Sequence, residues 1–64
     1  MSFKVVDWHK IQENREYLFK DYLGCFYLGE YAEYDGITGF YTDSYNFIEM
    51  NRVRIVWELP DENS

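Results

Sequence analysis

His9 and Cys25 are the single histidine and single cysteine of this 64-residue chain, the residues with which thiol, imidazole or zinc chemistry would have to begin. A thiol nucleophile needs a base within hydrogen-bond reach, and a zinc site needs three or four ligands. Neither residue has such company at a recognisable spacing. His9 follows Asp7 and Trp8 in what reads as the first turn of a helix, where an imidazole caps or is solvated. Cys25, between Gly24 and Phe26, reads as a small buried hydrophobe rather than a reactive thiol. No dinucleotide fingerprint, phosphate loop or H-E-x-x-H zinc motif occurs. Glu30, Glu33 and Asp35 lie close together, but the spacing of a calcium loop is not matched, so these acids read as solvated side chains on a strand and in a turn. The expectation is therefore no enzyme, no cofactor and no bound metal.

What the chain does concentrate is charge and tyrosine. Asp21–Asn51 holds six acids (Asp21, Glu30, Glu33, Asp35, Asp43, Glu49) and no Lys or Arg. Before it, four bases face three acids; after it, two bases face three, so the formal charge of −6 belongs to the middle segment. Tyr22, Tyr27, Tyr31, Tyr34, Tyr41 and Tyr45, six of the seven tyrosines, lie there too. Exposed tyrosines suit a stacking platform for single strands only in a basic setting; here phosphate is repelled. Direct binding to nucleic acid or to anionic membrane is thus disfavoured. Beside acids, exposed Tyr suits a protein interface instead. Alternate strand residues such as Glu33 and Asp35 are about 6.6–6.8 Å apart on one face. Glu30 and Asp43 could continue that row across a hairpin, giving carboxylates at something like the phosphate spacing of duplex DNA.

The elements that would position these side chains follow from periodicity. Phe3–Val6 reads as a first strand or extended lead-in. Asp7 stands at an N-cap position, and Trp8, Ile11, Leu18, Phe19 and Tyr22 recur at helical spacing. Glu16 and Lys20 would form an i,i+4 pair, and Gly24 would end the helix in the left-handed conformation, so a helix over 8–23 is expected. From Cys25 the period shortens to about two residues, with Phe26, Leu28, Ala32 and Tyr34 on one face and Tyr27 and Tyr31 on the other. Asp35-Gly36 suits a two-residue type I′ hairpin turn into a return strand over 37–42, with Gly39 as a bulge. Asp43-Ser44 suits the next turn, and Tyr45–Met50 reads as strand in preference to a helical turn. Val53, Ile55, Trp57 and Leu59 alternate with polar or smaller residues as a last strand, stopped by Pro60.

The expected fold is α+β: one N-terminal helix packed on a three- to four-stranded antiparallel meander sheet. Residues 1–59 would form a single domain and residues 60–64 a disordered acidic tail. Trp8, Ile11, Phe19, Val53, Ile55 and Trp57 form the expected core. So short a chain buries only about 60% of its unfolded surface, and fourteen aromatics (five Phe, seven Tyr, two Trp) compensate. One cysteine forms no internal disulfide, and neither a signal-peptide pattern nor a long apolar run is present, so a cytoplasmic setting is expected, the host cytoplasm if a phage encodes the chain.

The leading functional expectation is a small acidic, non-enzymatic binding protein. In its sharpest form it is an inhibitor of phage or mobile-element type that occupies the basic nucleic-acid-binding surface of a host or defence protein, as a DNA mimic. Glu30, Tyr31, Glu33, Asp35, Tyr41 and Asp43 are its candidate contact residues, and a basic, nucleic-acid-binding protein its partner. The alternative is a small structural or regulatory subunit that associates through an aromatic sheet face, for example as a homodimer.

Overall fold

The computed structural model describes residues 3–43 and 46–60. Its strands are β1 (Lys4–Val5), β2 (Glu16–Asp21), β3 (Phe26–Tyr34), β4 (Ile37–Thr42), β5 (Phe47–Glu49) and β6 (Val53–Glu58). They form one six-stranded sheet in the order β1-β6-β2-β3-β4-β5, antiparallel at every pairing. Four consecutive strands make a meander, and β6 returns past a 3-10 turn at Met50–Arg52 to pair with the free edge of β2.

The expected helix over 8–23 is not there: the α+β reading is replaced by an antiparallel all-β domain. Within that span only Trp8–Lys10 is helical, as one 3-10 turn, and the Asp7 side chain makes no capping bond to it. The helical spacing has a gap between Ile11 and Leu18, polar from Gln12 to Glu16, and Asn14 takes a left-handed φ of 64° inside it. That conformation ends a right-handed helix. Beyond the gap, Tyr17, Phe19 and Asp21 alternate as buried residues with exposed Glu16 and half-buried Leu18 and Lys20. Glu16 and Lys20 are thus four residues apart along a strand, not one helical turn apart. Gly24 is left-handed as expected (φ 87°), but it closes the β2–β3 turn.

With no helix to cover it, the sheet must bury its inner face against itself. Val6, Tyr17, Phe19, Phe40, Val53 and Val56 are its buried apolar core, with Ile11, Tyr27, Tyr31, Ile48 and Met50 packed against them. Phe19 on β2 and Phe40 on β4 stack at 4.4 Å although β3 runs between their strands. Two strand spacings are about 9.6 Å in a flat sheet. The rings meet because the sheet curls and because the intervening inward position is Gly29. A Cβ there would lie 3.1 Å from the Phe19 ring and 2.8 Å from the Tyr41 carbonyl oxygen.

The last strand corrects the expected core. Asp21 pairs with Val53 but Lys20 pairs with Ile55, so Arg54 is the extra residue of a β-bulge. The bulge shifts the phase by one residue. Val53 and Val56 point inward, while Ile55 and Trp57 turn to the outer face beside Lys20 and Leu18. Trp8 is exposed as well. Of the six expected core residues, Phe19 and Val53 are buried and Ile11 packs against the core, while Ile55 and Trp57 are half-buried on the outer face. Gly39 forms no bulge, since the β3–β4 register is continuous; it is buried against the Ile48 backbone and the Phe47 ring. The expected strand over 45–50 is found as β5, with Tyr45 outside the described residues, as are Ser44 of the expected turn and the tail from Asp61. Among the described residues no helix is long and apolar enough to cross a membrane.

Candidate partner-binding surface

The β3–β4 hairpin carries the candidate contact residues. Its turn is the two-residue connection expected, with Asp35 and Gly36 at φ 54° and 80°. Both central residues of a type I′ turn need positive φ, which Gly accepts freely and Asp tolerates. The hairpin outruns its neighbours: β2 last pairs at Glu30, and β5 pairs with β4 no closer to the turn than Gly39. Residues 32–38 thus form an arm beyond the six-stranded body.

The acids line this hairpin from end to end but do not share one face. Glu30 lies on the outer face, opposite Tyr41 on β4 and Glu16 on β2. Glu33 has the opposite parity and shares the face of Tyr31, Asp35 occupies the turn, and Asp43 follows the far end of β4. The single row of carboxylates does not form, because Glu30 and Glu33 differ by an odd number of residues on a period-two strand. The two tyrosines separate for the same reason. Tyr31 packs edge-on against Phe40 at 5.5 Å and belongs to the core, while Tyr41 lies outside with Tyr34 and Phe47 at 6.5 and 5.0 Å.

Glu30, Tyr41 and Asp43 do come together, around a shallow depression whose remaining lining includes Glu16. Glu16 is not among the expected contacts, since a helix over 8–23 sets it apart from the sheet. Only the strand reading of β2 places it directly opposite Glu30. Like charges directly opposed across strands disfavour the pairing. Bases gather elsewhere: Lys4, Lys10 and Arg15 surround a separate depression with Asp7 and Glu58. Arg15 approaches Glu58 at 3.7 Å, both half-exposed, a contact worth about 0–1 kcal/mol.

Of the two remaining acids of the middle segment, Asp21 and Glu49, the first has a structural role. Asp21 is buried, and its Oδ1 accepts hydrogen bonds from the Leu23 and Cys25 backbone N–H groups at 2.9 and 3.0 Å. It thereby holds the turn between β2 and β3. Cys25 is exposed in that turn, not buried as its neighbours suggested. Asp21, Tyr22, Tyr27, Phe47 and Arg52 line a cleft of about 350 Å³ at this end of the sheet. The Tyr27 hydroxyl is held above its usual 10.0 by partial burial first, then by the adjacent Asp21 carboxylate and Cys25 thiol. The folded state thus favours the neutral phenol. The unfolded chain ionises first, so this contribution to stability is intact below about pH 10 and lost as pH rises through the folded value. Tyr27→Phe is expected to flatten the alkaline limb of the stability profile, measured by urea unfolding between neutral and strongly alkaline pH. An unchanged limb would refute the assignment.

Among the described residues no cluster of three His, Cys, Asp or Glu side chains is arranged to hold a metal ion. No family model, no curated protein and no solved structure matches this chain.

Proposed function

We propose that this chain is a non-enzymatic acidic protein that docks on a basic surface of another protein, with the β3–β4 hairpin as its docking element. The observation that supports this reading most is the disposition of charge on that hairpin. Glu30, Glu33, Asp35 and Asp43 are all exposed, on both faces and at the turn, with no Lys or Arg between Asp21 and Asn51. Acids on one face would suit a flat basic surface. Acids on both faces of the hairpin and at the tip of its projecting arm suit a cleft with basic walls, such as the groove of a nucleic-acid-binding enzyme. In its sharpest form the protein is an inhibitor of the kind phages and mobile elements direct at host or defence enzymes, competing with DNA for that groove. Tyr34 and Ile37, both exposed near the turn, would supply apolar contact at the tip.

The test is capture from bacterial lysate at low salt, followed by elution with duplex DNA. The expected catch is a nucleic-acid-binding protein released by the DNA. Combined Glu30→Gln, Glu33→Gln, Asp35→Asn and Asp43→Asn substitution removes four charges and keeps shape; Asn also tolerates the left-handed conformation at position 35. This variant is expected to associate with the captured protein about tenfold or more slowly, with a flatter salt dependence. Association as fast and tight as the parent's at low salt would defeat the proposal.

A further inference from the structure

The outer face of the sheet, away from the hairpin tip, carries an apolar surface that the docking arm does not use. Cross-strand pairing puts Val5, Trp57, Leu18 and Leu28 in one straight row over β1, β6, β2 and β3. Phe26 and Ile55 flank the row through their pairing with Lys20. Val5 is 68%, Phe26 61% and Leu28 44% exposed. The Phe26 and Trp57 rings are 5.8 Å apart, and the Lys20 ammonium lies over Phe26 at 5.8 Å to the centroid.

We infer that this face binds a second copy of the chain, forming a two-fold dimer about Leu18. The argument is self-complementarity. On β2, Lys20 and Glu16 stand two residues either side of Leu18 and on the same outer face. Consider a two-fold axis lying between two facing sheets, perpendicular to β2 and passing over Leu18. It stacks the row of Trp57, Leu18 and Leu28 on its own copy and sets each Lys20 over the other copy's Glu16, twice per dimer. That ammonium also reaches the neighbourhood of Glu30, so it neutralises the like-charge pair Glu16–Glu30 that the isolated chain leaves opposed. A two-fold interface needs the same patch to be complementary to itself, and the row through Leu18 and the Lys20–Glu16 pair meet that condition. A standard interface takes about 800 Å² from each partner, a small share of the 4902 Å² of accessible surface here.

The dimer has a distinctive salt response. Two chains of charge −6 repel, and salt screens that repulsion. Dimerisation is therefore expected to hold or strengthen between about 0.1 M and about 1 M salt, where the Debye length falls from about 10 Å to about 3 Å. Docking on a basic partner is expected to weaken over the same range, so failure of one proposal is distinguishable from failure of the other.

Sedimentation equilibrium at concentrations up to several hundred micromolar tests the dimer. The parent is expected to reach the mass of two chains. Phe26→Ser with Leu28→Ser, both at exposed positions that leave the inner core intact, is expected to raise the dissociation constant about tenfold or more. Lys20→Glu should also weaken the dimer, and adding Glu16→Lys to it should restore the dimer. The hairpin-tip pair Glu33→Gln and Asp35→Asn should leave the mass unchanged. A parent that stays monomeric at both salt concentrations would overturn the inference. So would a dimer indifferent to Phe26→Ser/Leu28→Ser, or a charge swap that fails to rescue Lys20→Glu.

Discussion

Phe19→Ala is expected to cost about 3–5 kcal/mol and to leave the domain largely unfolded at room temperature. At about 0.05–0.15 kcal/mol per residue, a chain of 64 residues has only about 3–10 kcal/mol of stability to lose. Phe19 is fully buried and is the ring through which the curled sheet closes, stacking on Phe40 at 4.4 Å and on Tyr27 at 5.5 Å. Truncation would leave a cavity under Gly29, where no side chain exists to collapse into it. Trp57→Ala is the control: the larger residue is only half-buried on the outer face, so its loss should cost about 1–2 kcal/mol. Urea unfolding at low micromolar concentration gives both values. A Trp57 cost equal to that of Phe19 would mean that the last strand runs in unbulged phase, with Trp57 inside.

That phase marks where the sequence could be read and where it could not. The Asp35-Gly36 turn was legible because two adjacent positive-φ positions demand particular residues, and the chain supplies them. The division of β3 into a Phe26/Leu28 face and a Tyr27/Tyr31 face was legible from alternation alone. Which face is buried was not, because both are aromatic. Core membership there depends on Gly29, whose missing side chain admits Phe19 and Phe40 on the tyrosine side. The bulge at Arg54 carries no signature among Val53, Ile55 and Trp57, since every residue of that run suits a strand in either phase. Trp8 to Tyr22 misleads for another reason: five apolar residues recur at helical spacing, but the gap among them holds a left-handed Asn14 and the buried Tyr17.

The candidate surface divides along the same line. The charge of the middle segment is a matter of composition, and the exposure of Glu30, Glu33, Asp35 and Asp43 followed from it. Their arrangement did not, since a row on one face required Glu30 and Glu33 to share parity. Glu16 and Lys20 are the instructive pair. Read as a helix they neutralise each other; read as a strand they stand four residues apart on one face.

Asp21→Ala should be the most damaging change to an acid in this chain, although the substitution reduces its net negative charge. Relief of repulsion predicts stabilisation, and surface acids removed from a −6 protein should show it. Asp21 differs because its buried carboxylate accepts two backbone N–H groups of the turn through 22–25 and lies beside the Tyr27 hydroxyl. Hydrogen bonds to a charged group are worth about 1.5–3 kcal/mol each. Leu23 and Cys25 are exposed, so water recovers part of that loss, and a net cost of about 2–3 kcal/mol is expected. Asp21→Asn keeps an acceptor oxygen at the Oδ1 position and should lose less than half as much. Two backbone bonds, from Asp21 N–H to the Cys25 carbonyl and from Gly24 N–H to the Asp21 carbonyl, remain in either variant. If Asp21→Ala unfolds at the same urea concentration as the parent, those two bonds alone hold the turn and the carboxylate is dispensable. If Asn costs as much as Ala, the charge rather than the acceptor geometry is what the turn requires.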